Sequence, residues 1–246
     1  MHKNSRFALA ILALALSSAF AATSAATDAA TAAAYKAAIA SPARTDDDRK
    51  GDAKRKPAEF LEFAHVRPGM KVLDMVAGAG STSELLALAV GSSGEVWAQS
   101  GKESPKLLAR LAANPQPNLH PLVAPFEKPT PAGAQLDLVT LNMNYHDIVN
   151  TPADRTAMNK SIYDALKPGG YFVIIDNAAK DGSGLTATNT LHRIDEKAVI
   201  DEVTKAGFVV DGKGDFLRVP ADPRDQPFFK MDGKPDDKFA LRFVKK

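Results

Sequence analysis

The chain has 246 residues, 45% of them hydrophobic, which is enough for one sizeable α/β domain with its own core. Its 31 basic residues nearly balance 29 acidic ones, and the basic cluster at residues 49–56 directly follows Asp46, Asp47 and Asp48. This mixture predicts a solvated surface and no nucleic-acid partner. The absence of cysteine excludes disulfides, thiolate catalysis and thiolate metal sites.

Residues 1–26 have the pattern of a secretory signal peptide. Lys3 and Arg6 precede an apolar run from Phe7 to Phe20, and Ala19-Phe20-Ala21 offers the small residues of a cleavage site. About 14 apolar residues rise about 21 Å as a helix, which is short of the roughly 20 residues that span a bilayer. We therefore expect export to the periplasm, with no stable membrane anchor after cleavage.

The remaining chain divides into a leader and one domain. Residues 27–56 begin rich in Ala and Thr and predict a flexible or helical leader, and residues 57–246 form the domain. From Lys71 onward, strands and helices alternate, which predicts a parallel sheet covered by helices on both faces. The predicted strands are Lys71–Met75, Glu95–Ala98, Leu119–Val123, Leu136–Leu141, the apolar run after Gly170, Phe208–Val210 and Phe239–Val244.

The loop after the first strand is the first candidate binding site, because ligands of such sheets bind beyond the carboxyl ends of the strands. It reads Asp74-Met75-Val76-Ala77-Gly78-Ala79-Gly80, and Ser81 to Glu84 predict a capping box for the helix behind it. Gly78 and Gly80 would let the backbone approach a ligand closely. A nicotinamide fingerprint fits poorly, since it requires an acid about 20 residues later.

The spacing of small residues in this loop and the "LKPGG" segment at residues 166–170 resemble the class I SAM-dependent methyltransferases over residues 57–246. The segments "RKPAEFLEFAHVRPGMKVLD", "NYHD" and "HRIDE" further resemble a group of exported bacterial proteins predicted to be methyltransferases. The resemblance implies a Rossmann-like, doubly wound sheet of seven strands in the order 3-2-1-4-5-7-6, with the last strand antiparallel. It also implies S-adenosyl-L-methionine (SAM) as the cofactor.

The same resemblance implies a set of cofactor-binding positions, with three departures from the family pattern. Val76 stands where the family has the first glycine of the loop, and Ser100 stands where it has the acid that binds the ribose hydroxyls. An acid after strand three is also replaced near Pro125, where Phe126 would stack on a purine. The implied cofactor-binding residues are Asp74, Ala77, Gly78, Ala79, Gly80, Ser100, Phe126 and Asn142.

The candidate catalytic residues follow strands four and five. His146 and Asp147 lie in "NMNYHD", where His146 would take a proton from an acceptor and Tyr145 would supply a wall or a phenol donor. His192 ends a long segment after strand five, and we expect it to share a pocket with His146. The alternative is that His146 and Asp147 only cap the next segment or bind backbone groups.

Asp195 and Glu196 follow His192 in the sequence. Asp195 is predicted to be a helix N-cap. Two histidines with Asp147 or Glu196 would also suit a divalent metal, but no HxH or HExxH spacing supports it, and no metal is predicted.

Two functions remain open from the sequence. The first is a SAM-dependent methyltransferase that acts on a small molecule or an envelope component. The second is a non-catalytic or repurposed protein of the same fold that binds another ligand in the cleft.

Overall fold

The computed structural model describes residues 28–246, so the predicted signal peptide at residues 1–26 lies outside the described part. The helices are α1 (residues 28–40 as described), α2 (Asp46–Arg55), α3 (Pro57–Phe63), α4 (Ser81–Val90), α5 (Pro105–Ala113), α6 (Tyr145–Val149), α7 (Arg155–Ala165), α8 (Thr188–Leu191) and α9 (Glu196–Lys205). The strands are β1 (Lys71–Met75), β2 (Glu95–Ser100), β3 (Leu119–Val123), β4 (Leu136–Asn142), β5 (Leu166–Asn177), β6 (Val209–Gly214) and β7 (Lys238–Val244).

The seven strands form one sheet in the order β3-β2-β1-β4-β5-β7-β6. Strands β1 to β5 pair in parallel, and β7 runs antiparallel to both β5 and β6. The predicted fold is therefore confirmed. Strand order reverses between β1 and β4, so the ends of these two strands form the crevice where such sheets bind ligands.

Alternating side chains along the strands build a core on each face of the sheet. In β1, Val72 packs into a cluster with α3, α4 and α5, whereas Leu73 and Met75 pack into a second cluster with α6, α7 and α9. This period of two is expected when both faces of a parallel sheet are buried. Helices thus cover both faces, as predicted from the alternation of elements.

The predicted capping box at the start of α4 is wrong. Gly80 is the N-cap residue, with φ of 82°, and no side chain caps the helix. The Ser83 hydroxyl donates instead to Asp74, and Glu84 pairs with Arg110. Ser83 and Glu84 therefore bind Asp74 and Arg110 and do not bind the backbone at the start of α4.

The leader packs onto the domain. Ala38 of α1 is buried in the core, and the Tyr35 hydroxyl donates to the Leu61 carbonyl at 3.0 Å. Asp48 of α2 pairs with Arg110 of α5 at 2.7 Å. The boundary predicted at residue 57 therefore falls between α2 and α3 within one packed unit. Within residues 28–246, no helix has the length and apolar character needed to cross a membrane.

Candidate functional site at the carboxyl edge of the sheet

The two glycines of the loop after β1 have different surroundings. Gly78 is exposed with φ of 58°, and a β-carbon there would meet only the Val76 carbonyl oxygen, at 3.9 Å. A β-carbon at Gly80 would lie 2.5 Å from Cδ1 of Leu107 in α5. Gly78 therefore leaves open space above the loop, whereas Gly80 permits close packing of the loop against a helix. Ala77 and Ala79 flank Gly78 at half-buried and exposed positions.

Asp74 lies beneath the loop. Its side chain is buried, and its two carboxylate oxygens accept hydrogen bonds from Ser83 at 2.5 Å and from Thr140 at 2.8 Å. Burial raises the pKa of the Asp74 carboxyl to about 6, although both hydroxyl donors act to lower it. Asp74 supports the loop from the sheet, and its predicted contact with a cofactor stays a prediction.

Gln99, near the end of β2, connects the loops after β1 and β3, and no sequence motif pointed to this residue. Its side-chain oxygen accepts from the Val76 backbone at 3.1 Å, its own carbonyl accepts from Ala77 at 2.8 Å, and its amide donates to the Ala124 carbonyl at 2.7 Å. The side chain is fully buried. A buried amide near the end of a strand was the only available signal, because its partners are distant in sequence.

Val76 adopts a left-handed backbone conformation, with φ of 54°. This is the conformation that favours glycine, and a β-branched residue there is strained by about 1–2 kcal/mol. Val76 therefore adopts a backbone conformation that a glycine would adopt without strain. The bond from Gln99 to the Val76 backbone helps to hold it.

Ser100, Phe126 and Asn142 lie along the same edge. Ser100 ends β2 and is half-buried. Phe126 lies close to Gly101, the residue after Ser100, because a β-carbon at Gly101 would be 3.8 Å from Cζ of Phe126. Asn142 ends β4, directly after the residue that pairs with Met75. Within residues 28–246, its side-chain oxygen is buried without a hydrogen-bond partner. The edge therefore offers an acceptor that a bound donor would satisfy.

His146 is held by the end of β5. Its ring nitrogen Nδ1 lies 2.6 Å from Asp176, and its backbone N–H donates to the other oxygen of that carboxylate at 2.9 Å. Asp176 also accepts from the Asn177 backbone at 2.8 Å. His146 lies in α6 and is only 3% exposed, so its side chain is buried.

Two effects oppose one another in the protonation of His146. Burial acts to lower the pKa of the imidazole, whereas the hydrogen bond to Asp176 and the charges of Asp176 and Asp147 act to raise it. The carboxylates outweigh burial, and the pKa of His146 is raised above its usual value.

The structure brings the three candidate catalytic residues together. His192 follows α8 with φ of 51°, and its ring meets that of His146 edge to face at 5.6 Å. Oδ1 of Asp147 lies 3.3 Å from Nε2 of His146 and 3.4 Å from Nδ1 of His192. Asp147 does not cap α6, which begins after Asn144 without a side-chain cap. Asp195 is the N-cap of α9, as predicted.

Two neighbours of this cluster have structural roles. Tyr145 is fully buried, and its hydroxyl donates to Glu202 of α9 at 2.8 Å, so it is neither the wall nor the donor expected from the sequence. Arg193 is also fully buried, pairing with Asp222 at 2.9 Å and donating to the Ala178 carbonyl at 3.0 Å. It ties the segment before β7 to the end of β5.

Known proteins match this domain in sequence and in fold. Residues 73–174 match the family model described as a methyltransferase domain. A ubiquinone/menaquinone biosynthesis C-methyltransferase from Burkholderia vietnamiensis is 31% identical over 119 residues, covering 46% of this chain and 45% of the relative. An uncharacterized methyltransferase from Synechocystis is 32% identical, covering 47% and 51%. The matches span about half the length of these relatives.

Solved structures extend the likeness to about 80% of the chain. A SAM-dependent methyltransferase from Aquifex aeolicus superposes with a TM-score of 0.61 at 18% identity, covering 80% of this chain and 93% of that one. A 1,6-didemethyltoxoflavin-N1-methyltransferase from Burkholderia thailandensis gives 0.55 at 20% identity, covering 80% of both chains. The described domain therefore has the class I SAM-dependent methyltransferase fold.

Proposed function

We propose that the protein transfers a methyl group from SAM to a small-molecule acceptor. The observation that carries the proposal is the placement of two features at one edge of the sheet. The open loop at Gly78 follows β1, and the cluster of His146, Asp147 and His192 follows β4 and β5. Strand β4 adjoins both β1 and β5, so neighbouring strands about 5 Å apart carry the two features.

The residues of the first feature fit the cofactor. Gly78 leaves space for close approach to the backbone, and the unpartnered oxygen of Asn142 suits the ammonium group of SAM. Ser100 would bind a ribose hydroxyl, and Phe126 would stack on the adenine. When bound, SAM supplies an electrophilic methyl group on a positively charged sulfur.

The residues of the second feature would position the acceptor. Methyl transfer needs little from the protein beyond alignment of a nucleophile, aided in some enzymes by a base. His192 and Asp147 are partly exposed, with side-chain exposures of 37% and 49%, so an acceptor can reach them. A small molecule or an envelope component with an ionisable hydroxyl or amine group fits this polar cluster.

Calorimetry with SAM and its demethylated product tests the proposal. Gly78→Val would place side-chain atoms in the open space above the loop, so we expect SAM binding at least tenfold weaker than in the unmodified protein. Gly133→Val is the matched control, because Gly133 also has a positive φ and open surroundings but lies before β4, at the opposite edge. No SAM binding by the unmodified protein would favour a repurposed ligand-binding protein instead.

We also propose that residues 1–26 direct export to the periplasm. The basis is the sequence pattern of Lys3, Arg6 and the apolar run that follows them. Fractionation of the native host, with amino-terminal sequencing of the recovered protein, checks this proposal. We expect a shortened chain outside the cytoplasm, and an intact chain in the cytoplasm would refute it.

A further inference from the structure

The polar atoms of His146, Asp147 and His192 converge at ion-pair distances, and no hydrogen bond joins them. Nε2 of His146, Oδ1 of Asp147 and Nδ1 of His192 all lie within 4.8 Å of each other. The two nitrogen-to-oxygen distances, 3.3 Å and 3.4 Å, exceed the usual hydrogen-bond range of about 2.7–3.2 Å. Two ligand atoms on one tetrahedral ion at about 2.0–2.1 Å lie about 3.3–3.4 Å apart, which matches both distances.

The surroundings prepare His146 to act as a metal ligand. The Asp176 carboxylate accepts a hydrogen bond from Nδ1 of His146, which leaves Nε2, 3.3 Å from Asp147, as the ring nitrogen that can bind an ion. A carboxylate behind a histidine is the arrangement that orients metal-binding imidazoles. The same strand end also fixes His192, because the Asn177 side chain donates to the His192 carbonyl at 3.0 Å.

We propose that His146, Asp147 and His192 form a binding site for a divalent transition metal ion of the Zn²⁺ type. Two imidazole nitrogens and one carboxylate oxygen suit such an ion, whereas Mg²⁺ prefers oxygen ligands only. Asp147 and Asp176 supply two negative charges that balance the ion. Glu196, the other acid considered from the sequence, pairs with Lys213 and Arg218 and lies outside the cluster.

Three protein ligands leave a coordination position for a further group. Asp147 and His192 are partly exposed, so this position is open to solvent or to a small molecule. A metal ion there would bind an oxygen of the acceptor and lower the pKa of its hydroxyl. This last step rests on the proposed function, but metal binding itself is measured without SAM, so the two proposals fail separately.

Zinc titration of the tag-free protein, after dialysis against a chelator, tests the site. We expect one Zn²⁺ per chain by calorimetry. Loss of a ligand in His192→Ala or in Asp147→Asn should lower the Zn²⁺ affinity at least about 100-fold. Both side chains are partly exposed, so these variants should fold normally, as circular dichroism would verify. His120→Ala is the matched control, because His120 pairs with Glu95 outside the cluster and its loss should leave Zn²⁺ affinity unchanged.

Two further measurements distinguish this site from surface binding. Asp176→Asn keeps the size of the residue behind His146 and should weaken Zn²⁺ binding about 10–100-fold, as expected for a positioning residue. Mg²⁺ should produce no binding heat under the same conditions. The proposal is overturned if Mg²⁺ binds as well as Zn²⁺, if His120→Ala weakens binding as much as His192→Ala, or if no Zn²⁺ binds.

Discussion

The two halves of the carboxyl edge are held together by different chemistry. In the cofactor half, where SAM is proposed to bind, hydroxyl and amide groups hold the loop after β1. Ser83 and Thr140 donate to Asp74, and the Gln99 side chain accepts from the Val76 backbone. In the acceptor half, where the proposed acceptor would lie, His146 and Asp147 of α6 and Asp176 at the end of β5 form a group of ionisable side chains. Strain at Val76 and open space at Gly78 distinguish the first half, and both support the proposal that it binds a cofactor. The second half instead presents ionisable side chains, which could bind an ion or exchange a proton.

The largest expected effect comes from removing the carboxylate that holds the acceptor half. Asp176→Ala should lower the free energy of unfolding by about 3–5 kcal/mol, because His146 and two backbone N–H groups lose a buried partner. Asp147→Ala, at the other side of the same imidazole, should change it by less than about 0.5 kcal/mol, because Asp147 is 49% exposed. Urea denaturation measures both, and equal effects would contradict the distinction.

The free energy of unfolding, measured over a series of pH values, reports on Asp74, the buried acid of the cofactor half. The pKa of Asp74 is raised to about 6, so the folded state holds this proton more tightly than the unfolded chain. The resulting stabilisation is present below about pH 4 and lost as pH rises through about 6, amounting to about 3 kcal/mol. Asp74→Asn should remove this part of the pH dependence. Unfolding free energies of the variant that still follow those of the unmodified protein between pH 4 and 7 would contradict it.

The smallest effect is expected from Ser100→Asp, which restores the acid that the family pattern has at the end of β2. Ser100→Asp should tighten SAM binding about tenfold, which corresponds to about 1.4 kcal/mol for one charged hydrogen bond. Ser93→Asp adds the same charge in the turn before β2, at the opposite end of that strand, and should leave the affinity unchanged. Calorimetry compares the two, and an unchanged affinity in Ser100→Asp would place the ribose elsewhere.

The contrast between the halves also explains which site residues were predictable. The loop from Val76 to Gly80 is a continuous segment, so its small residues and its position after a strand could be read directly. His146, His192 and Asp176 come from three separate segments, and only their positions after strands four and five suggested that the two histidines meet. Asp176 was missed because a single aspartate at the end of an apolar strand has no local signature.

The sequence by itself determined the alternation of elements and hence the sheet. Lys71–Met75 and Leu119–Val123 have the bounds predicted for them. In Lys71–Met75 the last four residues are all buried, which is the local burial that an apolar run predicts. Tertiary structure alone decided the polar partners. Ser83 bonds Asp74 and not the helix start, Tyr145 bonds Glu202, and the His146 imidazole lies against Asp176. These partners are 9, 57 and 30 residues apart, so only the folded chain brings each donor within hydrogen-bonding distance of its acceptor.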